Sequence, residues 1–181
     1  MQDETTVVRT ASTDSDRSWI EALSISTWGS TEIVVLRDGT ASVLDMVQTP
    51  ALLAWNGEAR VGWLAYEARG DGREVVSLVA AEPFKGIGSA LLGALASRCR
   101  NQGSDRIRLV TTNDNLTALR FYQRRGFRLA ALHKDALDAA RRLKPSIPRI
   151  GRDSIPMRDM LELEAAPGDV LASTTAGDDH A

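Results

Sequence analysis

Residues 73–112 read REVVSLVAAEPFKGIGSALLGALASRCRNQGSDRIRLVTT. The opening run, 73–81, is β-rich and predicts a strand. The closing run, 105–112, alternates Ile107, Leu109 and Thr111 against Arg106, Arg108 and Val110, the period of a second strand. Between them Ile87, Leu91, Leu95 and Cys99 recur at every fourth position, with Ala90, Ala94 and Arg98 alongside. That is the apolar stripe of an amphipathic helix, opening at Gly86 and ending near Gly103. Strand, crossover helix and strand make a βαβ unit, so the two strands are expected to lie parallel and adjacent.

The turn into that helix carries Gly86 and Gly88. The first N–H groups of a helix have no intrahelical acceptor and sit at the positive end of its dipole. With no Cβ at either glycine, a pyrophosphate can approach them; Lys85 adds a charge and Ser89 a hydroxyl. The same glycines also suit a plain tight corner, and a lone G-x-G does not choose between the two. No phosphate loop of the form G-x-x-x-x-G-K-[ST] occurs, and Leu91 stands where the third glycine of G-x-G-x-x-G belongs.

Working outward, residues 5–10 predict a first strand, and Ser12, Thr13 and Asp14 offer cap oxygens to a helix over 16–28. On that helix Trp19, Ala22, Leu23 and Ser26 are read as one face, with Gly29 as the stop. Residues 32–39 form a strand ending in Asp38-Gly39, followed by an irregular stretch. Residues 51–68 read as a hairpin around Asn56-Gly57, a pair suited to a type I′ turn. After 112, a helix is expected over 116–125 with Ala118, Phe121 and Tyr122 on one side, stopped at Gly126. A strand over 127–133, a helix over 135–143, a proline-punctuated loop over 144–156 and a strand over 158–164 complete the domain. The reading is one mixed α/β domain over 1–164, with 165–181 expected to be a disordered tail.

The bulk numbers agree with that reading. A chain of 181 residues has room for one domain with a real core. Its net charge of −2 leaves no basic footprint for nucleic acid. The single Cys99 forms no internal disulfide and lacks the Cys and His neighbours of a zinc site, so no metal is expected. No apolar run approaches the roughly 20 residues of a membrane span. The N-terminus, MQDETTVVRT, has neither a basic nor an apolar leader region and reads as cytoplasmic.

KGIGSALL (85–92), followed downstream by NLTALRFYQRRGF (115–127), resembles the GCN5-related N-acetyltransferase (GNAT) family. That family carries a [QR]-x-x-G-x-[GA] turn and then N-x-x-A-x-x-[FL]-Y-x-x-x-G-F. The second pattern is matched at Asn115, Ala118, Phe121, Tyr122, Gly126 and Phe127. Residues 5–164 are covered, and the chain also resembles a bacterial subgroup of unassigned acceptor. The resemblance implies a mixed, mostly antiparallel central sheet with a splayed parallel strand pair, flanked by helices. A homodimer is compatible with it.

It also implies acetyl-CoA as co-substrate and an amine as acceptor. Pantetheine amides would pair with the backbone of Leu78, Val79 and Ala80. The pyrophosphate would rest on amides from Lys85, Gly86, Ile87, Gly88, Ser89 and Ala90. Asn115 would contact the cofactor, and Tyr122 would protonate the leaving thiolate. The chain departs from the pattern at Pro83, which stands at the Gln/Arg position, and at Phe84, which replaces a frequent glycine. That departure keeps a non-catalytic acyl-CoA-binding module open as an alternative to the enzyme.

For the base, Glu74 is the candidate on the correct strand, against the alternative of an exposed strand-end charge; His133 could serve instead or line the acceptor pocket. Trp28 and Asp153 are further acceptor-pocket candidates, Asp153 for a cationic amine. Arg142, Lys144, Arg149 and Arg152 would suit a carboxylate-bearing acceptor instead. Arg124 and Arg125 are expected to face solvent near the cofactor's 3′-phosphate.

Overall fold

The computed structural model describes residues 6–82 and 85–170. Pro83 and Phe84 therefore lie outside the described residues, as does 171–181 of the expected tail.

A sheet of seven strands runs in the order β1-β4-β5-β6-β7-β9-β8. It contains β1 (Val7–Thr10), β4 (Ala51–Asn56), β5 (Ala59–Arg69), β6 (Gly72–Ala80), β7 (Ile107–Thr112), β8 (Arg128–His133) and β9 (Met160–Ala165). Only β6 and β7 pair in parallel; every other neighbour is antiparallel. The stretch expected to be irregular after Gly39 is a strand. β2 (Glu32–Arg37) and β3 (Thr40–Asp45) pair with each other as a separate two-stranded sheet. Their turn has left-handed φ at both Asp38 (50°) and Gly39 (77°), the pattern expected instead at Asn56-Gly57. There Asn56 pairs with Ala59, and Gly57 alone is left-handed.

The period-two pattern of β4 and β5 buries both faces of the sheet. Leu52, Ala54, Leu64 and Tyr66 join one core with Leu91, Leu95 and Cys99 of α2 (Ile87–Asn101) and Tyr122 of α3 (Leu116–Gln123). Ala51, Leu53, Trp63 and Ala65 join the other with Ile20 of α1 (Asp14–Trp28). A third cluster seats α4 (Ala136–Leu143), through Leu137 and Ala140, on Val34 and Leu36 of β2.

The buried line of α1 is Asp16, Ile20 and Ser24, while Ala22 and Ser26 are exposed. The expected face was therefore rotated, because a buried Asp and Ser are polar and invisible to an apolar count. Thr13 and Asp16 close a capping box, and Gly29 ends the helix at φ 70°. At the C-terminus β9 runs to Ala165, and Val170 is buried in the first core, so the part of the expected tail that is described is packed. Among the described residues no helix is long and apolar enough to cross a membrane.

Candidate active site

Strands β6 and β7 stay together for only three pairs, Arg73↔Ile107, Glu74↔Arg108 and Val75↔Leu109. Beyond Val75 the register of β6 on β5 shifts: Ser77 pairs with Ala65 and Val75 with Tyr66, leaving Val76 as the extra residue. A bulge bends its strand and strengthens the local twist. Residues 77–80 thus remain bonded to β5 on one side, while among the described residues no strand pairs with them on the other. Leu78, Val79 and Ala80 sit on this open edge, opposite Leu64, Trp63 and Gly62.

The gap opens into a cleft of about 440 Å³. Its walls are residues 74–78 of β6, 109–112 of β7 and 32–35 of β2. Asp114, Asn115, Ala118 and Tyr122 line it from the start of α3, and Trp28 from the end of α1. Lys144, Ile147, Arg152 and Met157 line it from the chain between α4 and β9. Trp28 is fixed edge-on to Trp63, with ring centroids 6.3 Å apart.

Tyr122 is buried between Phe121 and Phe127, at 5.1 and 5.5 Å between centroids. Burial pushes its phenol well above the ordinary value of 10, and the charge of Arg125 opposes that shift only in part. Asn115 caps α3, its Oδ1 accepting from the Ala118 N–H at 3.2 Å.

Glu74 is no exposed strand-end charge. It is 2% exposed, and its Oε2 accepts from Arg37 Nε at 2.7 Å. Arg37 also reaches Glu67 at 2.5 Å, and Arg69 stands 4.0 Å from Glu74 Oε1. His133 lies away from the cleft lining; its Nε2 is 3.1 Å from Glu162 Oε2. Asp153 is also absent from the lining, exposed, with a left-handed φ of 52°, while its neighbour Arg152 does line the cleft. His133 and Asp153 are thus not brought together with Tyr122.

The glycine turn adjoins the Leu78 end of the cleft. Gly86 is the left-handed N-cap of α2 (φ 73°), and a Cβ there would meet nothing within 4 Å. Gly88 has a different task, since a Cβ there would fall 2.9 Å from Phe121 Cζ and 3.4 Å from Leu78 Cδ2. It lets α2 and α3 approach each other. No side chain caps α2, so the N–H groups of Ile87, Gly88 and Ser89 form an uncapped first turn. The Ala90 N–H is already used, donating to Gly86 O at 3.0 Å, which removes it from the expected cradle. The Ile87 side chain is core.

The Ser89 hydroxyl is engaged as well. Arg125 donates to it from Nε and Nη2 at 2.9 and 2.6 Å and lies 3.8 Å over the Phe121 ring. Arg125 is therefore a brace between the two helices rather than the solvent-facing cation expected.

Two residues of the lining carry buried polar atoms that sequence reading missed. Among the described residues, Ser77 Oγ and Asp114 Oδ1 are buried without a hydrogen-bond partner. Nothing in the local sequence marks either atom as unpartnered.

The model of the acetyltransferase (GNAT) family matches residues 17–127. The chain belongs to the GNAT acetyltransferase family. The protein YxbD of Bacillus subtilis is 45% identical over 103 residues, 57% of this chain and 65% of that relative. An IAA acetyltransferase from Bacillus cereus superposes with a TM-score of 0.65 at 22% identity, over 90% of this chain and 99% of its own. A Bacillus subtilis acetyltransferase in complex with CoA gives 0.64 at 20% identity, over the same shares. These two likenesses are of the GNAT fold: the central sheet with its single parallel pair and the flanking helices.

Proposed function

We propose that this GNAT protein is an N-acetyltransferase that passes the acetyl group of acetyl-CoA to a primary amine in a ternary complex. The observation that carries this reading is the parting of β6 from β7 beside a buried tyrosine. An unpaired strand edge offers N–H and C=O groups to an extended ligand, and the amides of pantetheine fit residues 76–80 as a further strand would. The open space around Gly86 and the uncapped first turn of α2 suit a pyrophosphate, with Lys85 as its charge. The similar Bacillus subtilis structure is a complex with CoA, which supports CoA as the kind of ligand.

Acetyl-CoA supplies a thioester whose carbonyl carbon an amine can attack. The backbone N–H groups of Leu78 and Ala80, which alternate away from β5, are the donors this reading gives the oxyanion. As the C–S bond breaks, Tyr122 gives its proton to sulfur, a role that a phenol kept neutral by burial suits. The proton lost by the amine goes to Glu74 through water. Trp28 forms part of the acceptor wall.

Titration with acetyl-CoA in a calorimeter, followed by thiol release across amines, amino acids and N-terminal peptides, tests this reading. Binding with amine-dependent release is expected. Binding without release from any amine favours a non-catalytic acyl-CoA module, and no binding at sub-millimolar concentration removes both.

A further inference from the structure

We propose that Asp114 is a second anchor for the acceptor, holding an ammonium group of a diamine other than the nitrogen that is acetylated; this rests on the acetyl-transfer reading above. Asp114 is 5% exposed and lines the cleft. Its Oδ2 accepts the Arg152 N–H at 3.0 Å, and Gly151 lies so close that a Cβ would fall 2.1 Å from that oxygen. The carboxyl group is thus pressed against the α4–β9 connection and fixed in direction. Among the described residues its other oxygen, Oδ1, is buried with no hydrogen-bond partner, and no side-chain cation pairs with the group.

A buried carboxylate with half of its acceptor capacity unfilled is unfavourable until a donor, best a charged one, meets it. The rest of the cleft says what the donor is attached to. Ile33, Val35, Leu137, Ile147, Met157 and Met160 line it with aliphatic and thioether surface, which suits a chain of methylenes. Lys144 and Arg152 also line it. However, Lys144 Nζ is engaged on Glu32 O at 2.7 Å, and Arg152 is exposed, where water and salt screen its charge. The group held at Asp114 is not the reacting nitrogen. A neighbouring carboxylate stabilises an ammonium and keeps it protonated, which takes away its nucleophilic lone pair.

The test uses the protein saturated with CoA, which carries no acetyl group, so that binding is read without turnover. Calorimetric titration compares 1,4-diaminobutane with 1-aminobutane, in the wild type and in Asp114→Asn. The amide can still accept the Arg152 N–H but loses the charge. The wild type is expected to bind the diamine about tenfold more tightly than the monoamine, as a charged hydrogen bond implies. The variant is expected to lose that preference. Equal binding of the two amines by the wild type overturns the proposal, as does a preference that survives in Asp114→Asn. A variant weakened equally toward both amines overturns it too, because Asp114 would then be serving the reacting nitrogen or the fold.

Should the variant not fold, the wild-type preference must still fade as salt is raised; a salt-independent preference overturns the anchor. Diamine preference with no acetyl transfer to any amine sinks the enzyme reading and leaves the anchor standing. Transfer to amines without the preference does the opposite.

Discussion

Under the proposed mechanism, Tyr122 and Arg37 are the residues whose substitution tests the site most directly. Tyr122→Phe removes the proposed proton donor and keeps the ring between Phe121 and Phe127. Its kcat is expected to fall by about 100-fold or more, with acetyl-CoA affinity measured by calorimetry nearly unchanged. A variant with wild-type kcat would take the acid role away from Tyr122. Because burial raises the phenol's pKa, the wild-type pH–rate profile should show no loss attributable to this group up to about pH 10. Arg37→Met poses a different question. It leaves the buried Glu74 carboxylate with only Arg69, at 4.0 Å. Breaking a buried pair by removing one partner costs about 3 kcal/mol, which urea unfolding would register. An unchanged midpoint would mean that water reaches Glu74 freely.

At the scale of elements, the two glycines of the α2 turn should respond to alanine for different reasons. Gly86→Ala meets open space and bears only the left-handed backbone, about 1 kcal/mol. Gly88→Ala drives a methyl group to 2.9 Å from Phe121, whose ring is covered by Arg125, and should lose about 1–3 kcal/mol as α2 and α3 move apart. Thermal unfolding of the pair checks the order. Equal losses would show that backbone conformation alone governs the turn.

The α1 cap gives a pH signature. Burial opposes the charged form of Asp16, but the N–H groups of Ser12 and Thr13 and the Arg60 guanidinium overcome it and hold the carboxyl down to about 2 from 3.8. A depressed value means that the contribution is present above about pH 3.8 and fades as pH falls toward 2. Asp16→Ala should cost about 1–2 kcal/mol at neutral pH and much less near pH 2, measured by urea unfolding at each pH. A pH-independent loss would place the effect elsewhere.

Much of this level was legible in the sequence, because helix and strand periods, a cap among Ser12, Thr13 and Asp14, the Gly29 stop and the βαβ unit are local signals. The double role of Gly86 and Gly88 was not, since Phe121 meets Gly88 only in space. The ion pair of Glu74 escaped for the same reason: Arg37 lies on another sheet. His133 and Asp153 were chosen by residue type, and only the topology shows that neither lines the cleft.

At the scale of the molecule, the sheet order was the part least written into local pattern. The last strand, β9, enters between β7 and β8, with six pairs to β7 and five to β8. β9 is the neighbour that holds β7 along its full length, whereas β6 holds only its first half. A chain truncated before Met160 is therefore expected to lose cooperative thermal unfolding, and retention of a sharp transition would refute that dependence. The insertion also has a bearing on how the protein is made. While the chain is being synthesised from its N-terminus, β7 and β8 wait side by side without the strand that belongs between them. Until residues 160–165 arrive, two bare edges invite pairing with other chains, and one wall of the cleft has no support. The site is thus completed last, by a segment that contributes only Met160 to its lining.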